Sequence, residues 1–143
     1  MSPVVRRYSK GQTALPTLFI DRSLGRHQVP AGLRAAGLRV VTLAEHYGVP
    51  RDQSVADVTW LAETAALGWV SLGKDARLRR RPAEREVIRL SGARCLYFTR
   101  ADLVAAEYLR RVLSNLDAIS SACAQPGPFI YVIHPARLER MTF

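Results

Sequence analysis

Five short strand-like runs divide this chain, at residues 17–20, 38–43, 69–72, 94–98 and 129–133. The first, Thr17-Leu18-Phe19-Ile20, is nearly continuous in its apolar character, the pattern of a strand covered on both faces. Stretches of helical spacing lie between successive runs, with connections long enough to carry the chain back across a sheet. Antiparallel neighbours need only a tight turn, whereas parallel neighbours need such a crossover. The order therefore predicts an α/β chain, with a mostly parallel central sheet of about five strands flanked by helices.

Punctuation sets the expected boundaries. Residues 24–36 read as a helix that Pro30 either breaks or opens as its first residue, and Gly37 stops it. Residues 45–54 read as a loop holding Gly48 and Pro50. Ser54 and Asp57 have the spacing of a variant capping box. Val58, Leu61, Ala62 and Ala65 then recur at helical spacing up to Gly68. Pro82 opens a short helix through Leu90 that Gly92 ends. Thr99 and Asp102 suggest a second capping box, opening the longest helix at residues 101–124, and Pro126-Gly127-Pro128 ends it. Arg137 and Arg140 form a basic tail. Residues 1–16 read as a basic arm and residues 17–143 as a single domain, large enough for a core without staples.

No apolar run approaches the ~18 residues of a membrane span, and no apolar leader follows Arg6, Arg7 and Lys10, so a cytoplasmic chain without a membrane partner is expected. Cys95 and Cys123 are too few and too far apart for a metal knuckle, and read as small buried hydrophobes of a reducing compartment. His27, His46 and His134 are scattered, with no zinc-like spacing. The net charge of +9 directs attention to polyanionic partners, nucleic acid first and acidic proteins second.

Sheets of this kind bind ligands outside the carboxyl ends of their strands, near the point where strand order reverses. Asp21 follows the first strand and Asp75 the third, while Asp57 opens the crossover helix that starts from the same edge. Three carboxylates meeting there repel one another unless a cation neutralises them. Oxygen-only ligands suit Mg²⁺ or Mn²⁺ over zinc, and such an ion polarises a phosphoryl oxygen and activates water. The cations around Asp75, namely Lys74, Arg77, Arg79, Arg80, Arg81 and Arg85, then fit a phosphate-backbone grip. Each residue also has a plainer reading. Asp57 and Asp102 suit helix starts, Asp21 and Asp75 suit turns, the arginine run suits a solvated face, and Trp60 and Trp69 suit the core. Glu45 and Glu84 read as solvated acids, and whether either of them or Asp102 completes the acidic site stays open. Acids at three successive element boundaries favour the catalytic reading. A receiver-like signalling domain wants an adjacent acidic pair after the first strand, where Asp21 is followed by Arg22 and Ser23.

Leu18-Phe19-Ile20-Asp21, Asp57-Val58-Thr59-Trp60-Leu61-Ala62, Gly68-Trp69-Val70-Ser71-Leu72 and Lys74-Asp75 resemble the PIN-domain nucleases. The likeness is nearest to the compact PIN-like group that includes atypical VapC-type toxins, and it runs from about Thr17 to the last strand. It implies a Rossmann-like α/β/α sandwich acting as a Mg²⁺- or Mn²⁺-dependent endoribonuclease, the toxin of a toxin–antitoxin pair. Asp21, Asp57 and Asp75 would hold the metal, and Lys74, Arg77, Arg79 and Arg80 the RNA. A cognate, DNA-binding antitoxin is the implied partner, with assembly as a homodimer or a toxin–antitoxin hetero-oligomer. Two positions depart from the pattern. The longer middle that supplies another acid is absent, with Glu45 the only nearby substitute, and the Thr or Ser common two places before the final acid is Gly73. The alternative is a non-catalytic PIN-like module that binds nucleic acid or protein.

Overall fold

The computed structural model describes residues 15–74 and 81–142. Most of the proposed basic arm, residues 1–14, lies outside the described residues. Its last part belongs to the body: Leu15 is buried, and the Arg39 guanidinium donates to its carbonyl at 2.5 Å.

Six strands form one sheet in the order β2-β1-β3-β4-β5-β6. These are β1 Leu18–Ile20, β2 Val40–Thr42, β3 Val70–Lys74, β4 Arg94–Phe98, β5 Phe129–Ile133 and β6 Leu138–Met141. The first five run parallel, and β6 runs antiparallel to β5. The helices are α1 Gln28–Ala35, α2 Leu43–Tyr47, α3 Asp57–Ala66, α4 Pro82–Ser91, α5 Ala105–Ser114 and α6 Leu116–Cys123. Strand alternation divides the core between the two sheet faces. Leu18, Ile20, Val70, Leu72, Leu96 and Phe98 point to the layer that supplies Leu33, Tyr108, Val112 and Ile119 from α1, α5 and α6. Phe19, Cys95, Tyr97 and Ile130 point to the other, where α2, α3 and α4 supply Leu43, Trp60, Leu61 and Ile88. Covering on both faces is why these strands lack a polar side, and the architecture is the α/β/α sandwich expected. Both cysteines are buried and unpaired. No described helix is long and apolar enough to cross a membrane.

Several boundaries differ from the sequence-based expectation. The sheet has six strands, because the basic tail folds back as β6 (register Ile133↔Leu138). Glu139 and Arg140 are exposed on this edge strand, so it has no apolar run to announce it, and charged edges discourage pairing with other chains. The first helix begins at Gln28, after a separate 3₁₀ turn at Arg22–Leu24. Pro30 falls in its first turn, where a missing N–H costs nothing. The expected loop at 45–54 holds the end of α2, which starts at Leu43, and a 3₁₀ turn at Arg51–Gln53. A full capping box forms there: Thr42 Oγ1 accepts from the Glu45 N–H at 3.1 Å, and Glu45 accepts from the Thr42 N–H at 2.8 Å. Neither proposed capping box is present. Ser54 Oγ donates to the Arg51 carbonyl and leaves α3 capped only by Ala56, while Asp102 lies on the surface paired with Arg100. The expected long helix at 101–124 is α5 and α6, parted at Asn115. The buried Asn115 amide donates to the Arg111 and His134 carbonyls, both at 2.8 Å, which ties the break to the end of β5.

Candidate active site

Strand order reverses at β1, which lies between β2 and β3 while the later strands extend outward from β3. Asp21 leaves β1 at its carboxyl end, still tied to β3 by its N–H on the Leu72 carbonyl at 3.2 Å. Its carboxylate caps the 3₁₀ turn. Oδ1 accepts from the Ser23 N–H at 2.8 Å and from the Ser23 hydroxyl. The same hydroxyl accepts from the Lys74 N–H at 2.9 Å, so Ser23 pins the ends of β1 and β3 together. Oδ2 faces Gly73, where an added Cβ would lie 2.1 Å from it. The Asp21 carboxylate therefore occupies the room that a side chain at position 73 would need, so glycine there fits the carboxylate where it lies. Burial pushes the Asp21 carboxyl up to about 6, against the Ser23 bonds that lower it. Asp57 adds to the rise, and Arg22 offsets part of it.

Asp57 is the first residue of α3 and stands on this same edge. Oδ1 accepts from Trp60 Nε1 at 2.9 Å and from Arg22 Nη1 at 3.3 Å. Arg22 Nη2 donates to the Asp52 and Val55 carbonyls at 2.9 and 2.8 Å, so a single guanidinium fastens the turn after Asp21 to the loop that leads into α3. Arg81 Nη1 lies 3.5 Å from Asp57 Oδ2 and 3.3 Å from Glu84 Oε1, bridging the two carboxylates. Burial pushes the Glu84 carboxyl up to about 7. A hydrogen bond shared with Asp57 raises it further, and Arg81 partly offsets the rise. Glu84 is thus a buried neighbour of Asp57, and not the solvated acid its sequence suggests.

Of the residues singled out from sequence, Asp21 and Asp57 come together at the carboxyl edge. Asp75, Arg77, Arg79 and Arg80 lie outside the described residues. Lys74 ends β3 with its backbone against Ser23, but its ammonium reaches the other way, donating to the Ala101 carbonyl at 3.2 Å and lying 5.4 Å above the Tyr108 ring. Glu45 is spent on capping α2 and on its 2.5 Å ion pair with Arg34. Asp102 is similarly committed to Arg100. Two participants, Ser23 and Arg22, escaped sequence reasoning, whereas Gly73 and Glu84 enter it without their partners. Ser23 had a local signal, since an Asp accepting from a residue two places on is a common turn. Arg22, Gly73 and Glu84 acquire their roles only when β3 and α4 are placed beside β1 and α3.

Two cavities flank the turn after Asp21. One, of about 230 Å³, is lined by Asp21, Arg22, Arg26, Thr42, Asp52 and Gln53 among others. The other, of about 300 Å³, is lined by Ser23, Arg26, His27, Lys74 and Tyr108 among others. Among the described residues, no three His, Cys, Asp or Glu side chains stand close enough to hold a metal ion. The donors present are still of the right type: Asp21 and Asp57, with Glu84 beside Asp57, offer only carboxylate oxygens, the ligand type of Mg²⁺ or Mn²⁺. Burial that penalises the charge on Asp21 and Glu84 is the condition a divalent cation relieves.

A doubly covered parallel sheet with carboxylates converging beside its switch point defines an α/β protein with an acidic site at the carboxyl edge. The chain belongs to the family of the PIN like domain, whose model matches residues 16–100. It is also 46% identical over 127 residues to a Mycobacterium tuberculosis (strain ATCC 25618 / H37Rv) protein named "Putative ribonuclease VapC45", a match covering 89% of this chain and 92% of that protein. No solved structure matches the chain significantly.

Proposed function

We propose that the chain, with residues 17–143 as one domain, is a cytoplasmic Mg²⁺- or Mn²⁺-dependent endoribonuclease, the toxin of a toxin–antitoxin pair. The observation that carries this reading is the buried Asp21 carboxylate, held on one oxygen by Ser23 and given room on the other by Gly73. The ribonuclease name of a relative that spans nearly the whole chain points the same way. Asp21, Asp57 and Asp75 are the residues that would hold the metal, and Glu84 supports Asp57. When bound, the ion supplies Lewis-acid activation of the phosphoryl group and of the attacking water.

The chain's own residues prepare that site. Ser23 orients Asp21 by two hydrogen bonds and locks it to the end of β3. Arg22 and Arg81 neutralise Asp57 and keep α3 and α4 against the turn. Lys74, Arg77, Arg79 and Arg80 add positive charge for an RNA backbone, and the chain would assemble as a homodimer or as a hetero-oligomer with a cognate DNA-binding antitoxin. The test is cleavage of RNA by the purified chain with Mg²⁺ or Mn²⁺ and with chelator, for the native sequence, Asp21→Asn and Asp75→Asn. Cleavage should require the ion and fall by ~100-fold or more in both variants, at or beyond the upper end of losses seen on disturbing a metal site's outer shell. Cleavage that persists in both folded variants refutes the assignment.

A further inference from the structure

One described arginine beside Asp21 stands outside the ion pairs that engage most of the others. Most described arginines are already engaged. Arg22 and Arg81 hold Asp57, Arg34 holds Glu45, Arg39 and Arg94 hold backbone carbonyls, Arg89 holds Glu86, Arg100 holds Asp102, and Arg110 and Arg111 hold Glu107. Arg26 is different. It is exposed, it makes no side-chain hydrogen bond or ion pair among the described residues, and it lines both cavities beside Asp21. The Arg22–Leu24 turn is the wall between those cavities. Asp21 lies in one and Ser23, the residue that holds its carboxylate, in the other.

The second cavity is chemically suited to an anion. His27 opens α1 with no side-chain cap bond and is exposed. The Lys74 ammonium is held above Tyr108 by one bond to the Ala101 carbonyl, which leaves donors to spare. We propose that a single-stranded nucleic-acid backbone crosses the Arg22–Leu24 turn, with Arg26 gripping the phosphate next to the one at Asp21 and the Arg26–His27–Lys74–Tyr108 cavity receiving the adjoining nucleotide. This deepens the ribonuclease reading by naming where its substrate lies. An acidic protein segment would meet the same charges, but two adjoining cavities beside the acids, on a chain of net charge +9, favour a nucleic-acid backbone.

The experiment measures binding without metal, so it is separable from cleavage. A fluorescent single-stranded oligoribonucleotide is titrated in chelator, over a series of salt concentrations, with the native chain, Arg26→Ala and Arg137→Ala. Arg137, like Arg85, also makes no side-chain hydrogen bond or ion pair among the described residues, and it lines a cavity of α6 and β6 that does not include Asp21. Arg26→Ala should weaken binding and lower the slope of log K against log salt by about 0.7, as for loss of one phosphate contact on a single strand. Arg137→Ala should leave both unchanged. Equal effects of the two variants, or none from Arg26→Ala, overturn the proposed path. Displacement of the RNA by polyglutamate as readily as by unlabelled RNA assigns the surface to acidic protein and overturns it too. If Arg26 carries binding but no RNA is cleaved with metal present, the path stands and the nuclease reading falls.

Discussion

Asp21 carries a measurable cost in the metal-free protein. Its carboxyl is raised from 3.8 to about 6, chiefly by burial, so the folded chain holds that proton more tightly than the unfolded chain. The stability contributed is therefore full below about 3.8, declines as pH rises towards about 6, and stays lost above it. The rise corresponds to about 3 kcal/mol. Glu84 adds to the same trend over the window from 4.5 to about 7. In chelator, Asp21→Asn should remove much of the slope and be more stable than the native chain at neutral pH, as read from urea midpoints on either side of the window. A native chain that gains stability as pH rises through this window would contradict the burial argument. The position of Asp21 was legible because an acid closing an apolar strand is conspicuous. Its environment was not, since Ser23 and Gly73 gain meaning only when the ends of β1 and β3 are brought together.

Between elements, the Arg22 guanidinium is the principal tie from the β1 end to the mouth of α3. It needs a planar fork, because one nitrogen serves Asp57 and the other serves two carbonyls of the 52–55 loop. Arg22→Lys keeps the charge but not the fork. Amide exchange in residues 52–57 should speed up in Arg22→Lys nearly as much as in Arg22→Ala, with the rest of the sheet unaffected. Protection restored by lysine would show that charge alone suffices. The same level of organisation shows where sequence patterns fail. The capping spacings at Ser54 and Thr99 were present in the letters, yet Ser54 serves a neighbouring carbonyl and Asp102 serves Arg100. The split between α5 and α6 was invisible, since apolar spacing continues through Asn115 and the break depends on a carbonyl near residue 134. β6 was missed for the converse reason, because an edge strand facing solvent has no need of apolar residues.

Across the whole chain, order proved more informative than boundaries. Strand and helix alternation, with continuous apolar strands, identified a parallel sheet and hence the edge where ligands bind, and Asp21 and Asp57 do reach that edge. Glu84 could not be placed this way, since its burial arises from the packing of α4 on α3. A site of buried carboxylates that binds a divalent ion only when folded links metal to stability. With free Mn²⁺ at a hundredfold excess over its dissociation constant, the gain should be about 2.7 kcal/mol. Thermal unfolding in Mn²⁺ and in chelator measures this, and coincident transitions would mean that the folded chain has no specific cation site.

Gly73 bears on how this chain can change over time. Its missing side chain and the Asp21 carboxylate share one volume, so the two positions are epistatic. Gly73→Thr, a step towards the pattern common in related nucleases, should drive Asp21 off Ser23. The expected result is lower stability, by the 1–3 kcal/mol typical of overpacking, together with weaker Mn²⁺ binding by calorimetry. A chain that accepts threonine without either loss would show that the carboxylate has a second resting place. Otherwise the route from this form of the site to the commoner one runs through paired substitutions, and residue-by-residue comparison will score a coupled solution as a defect.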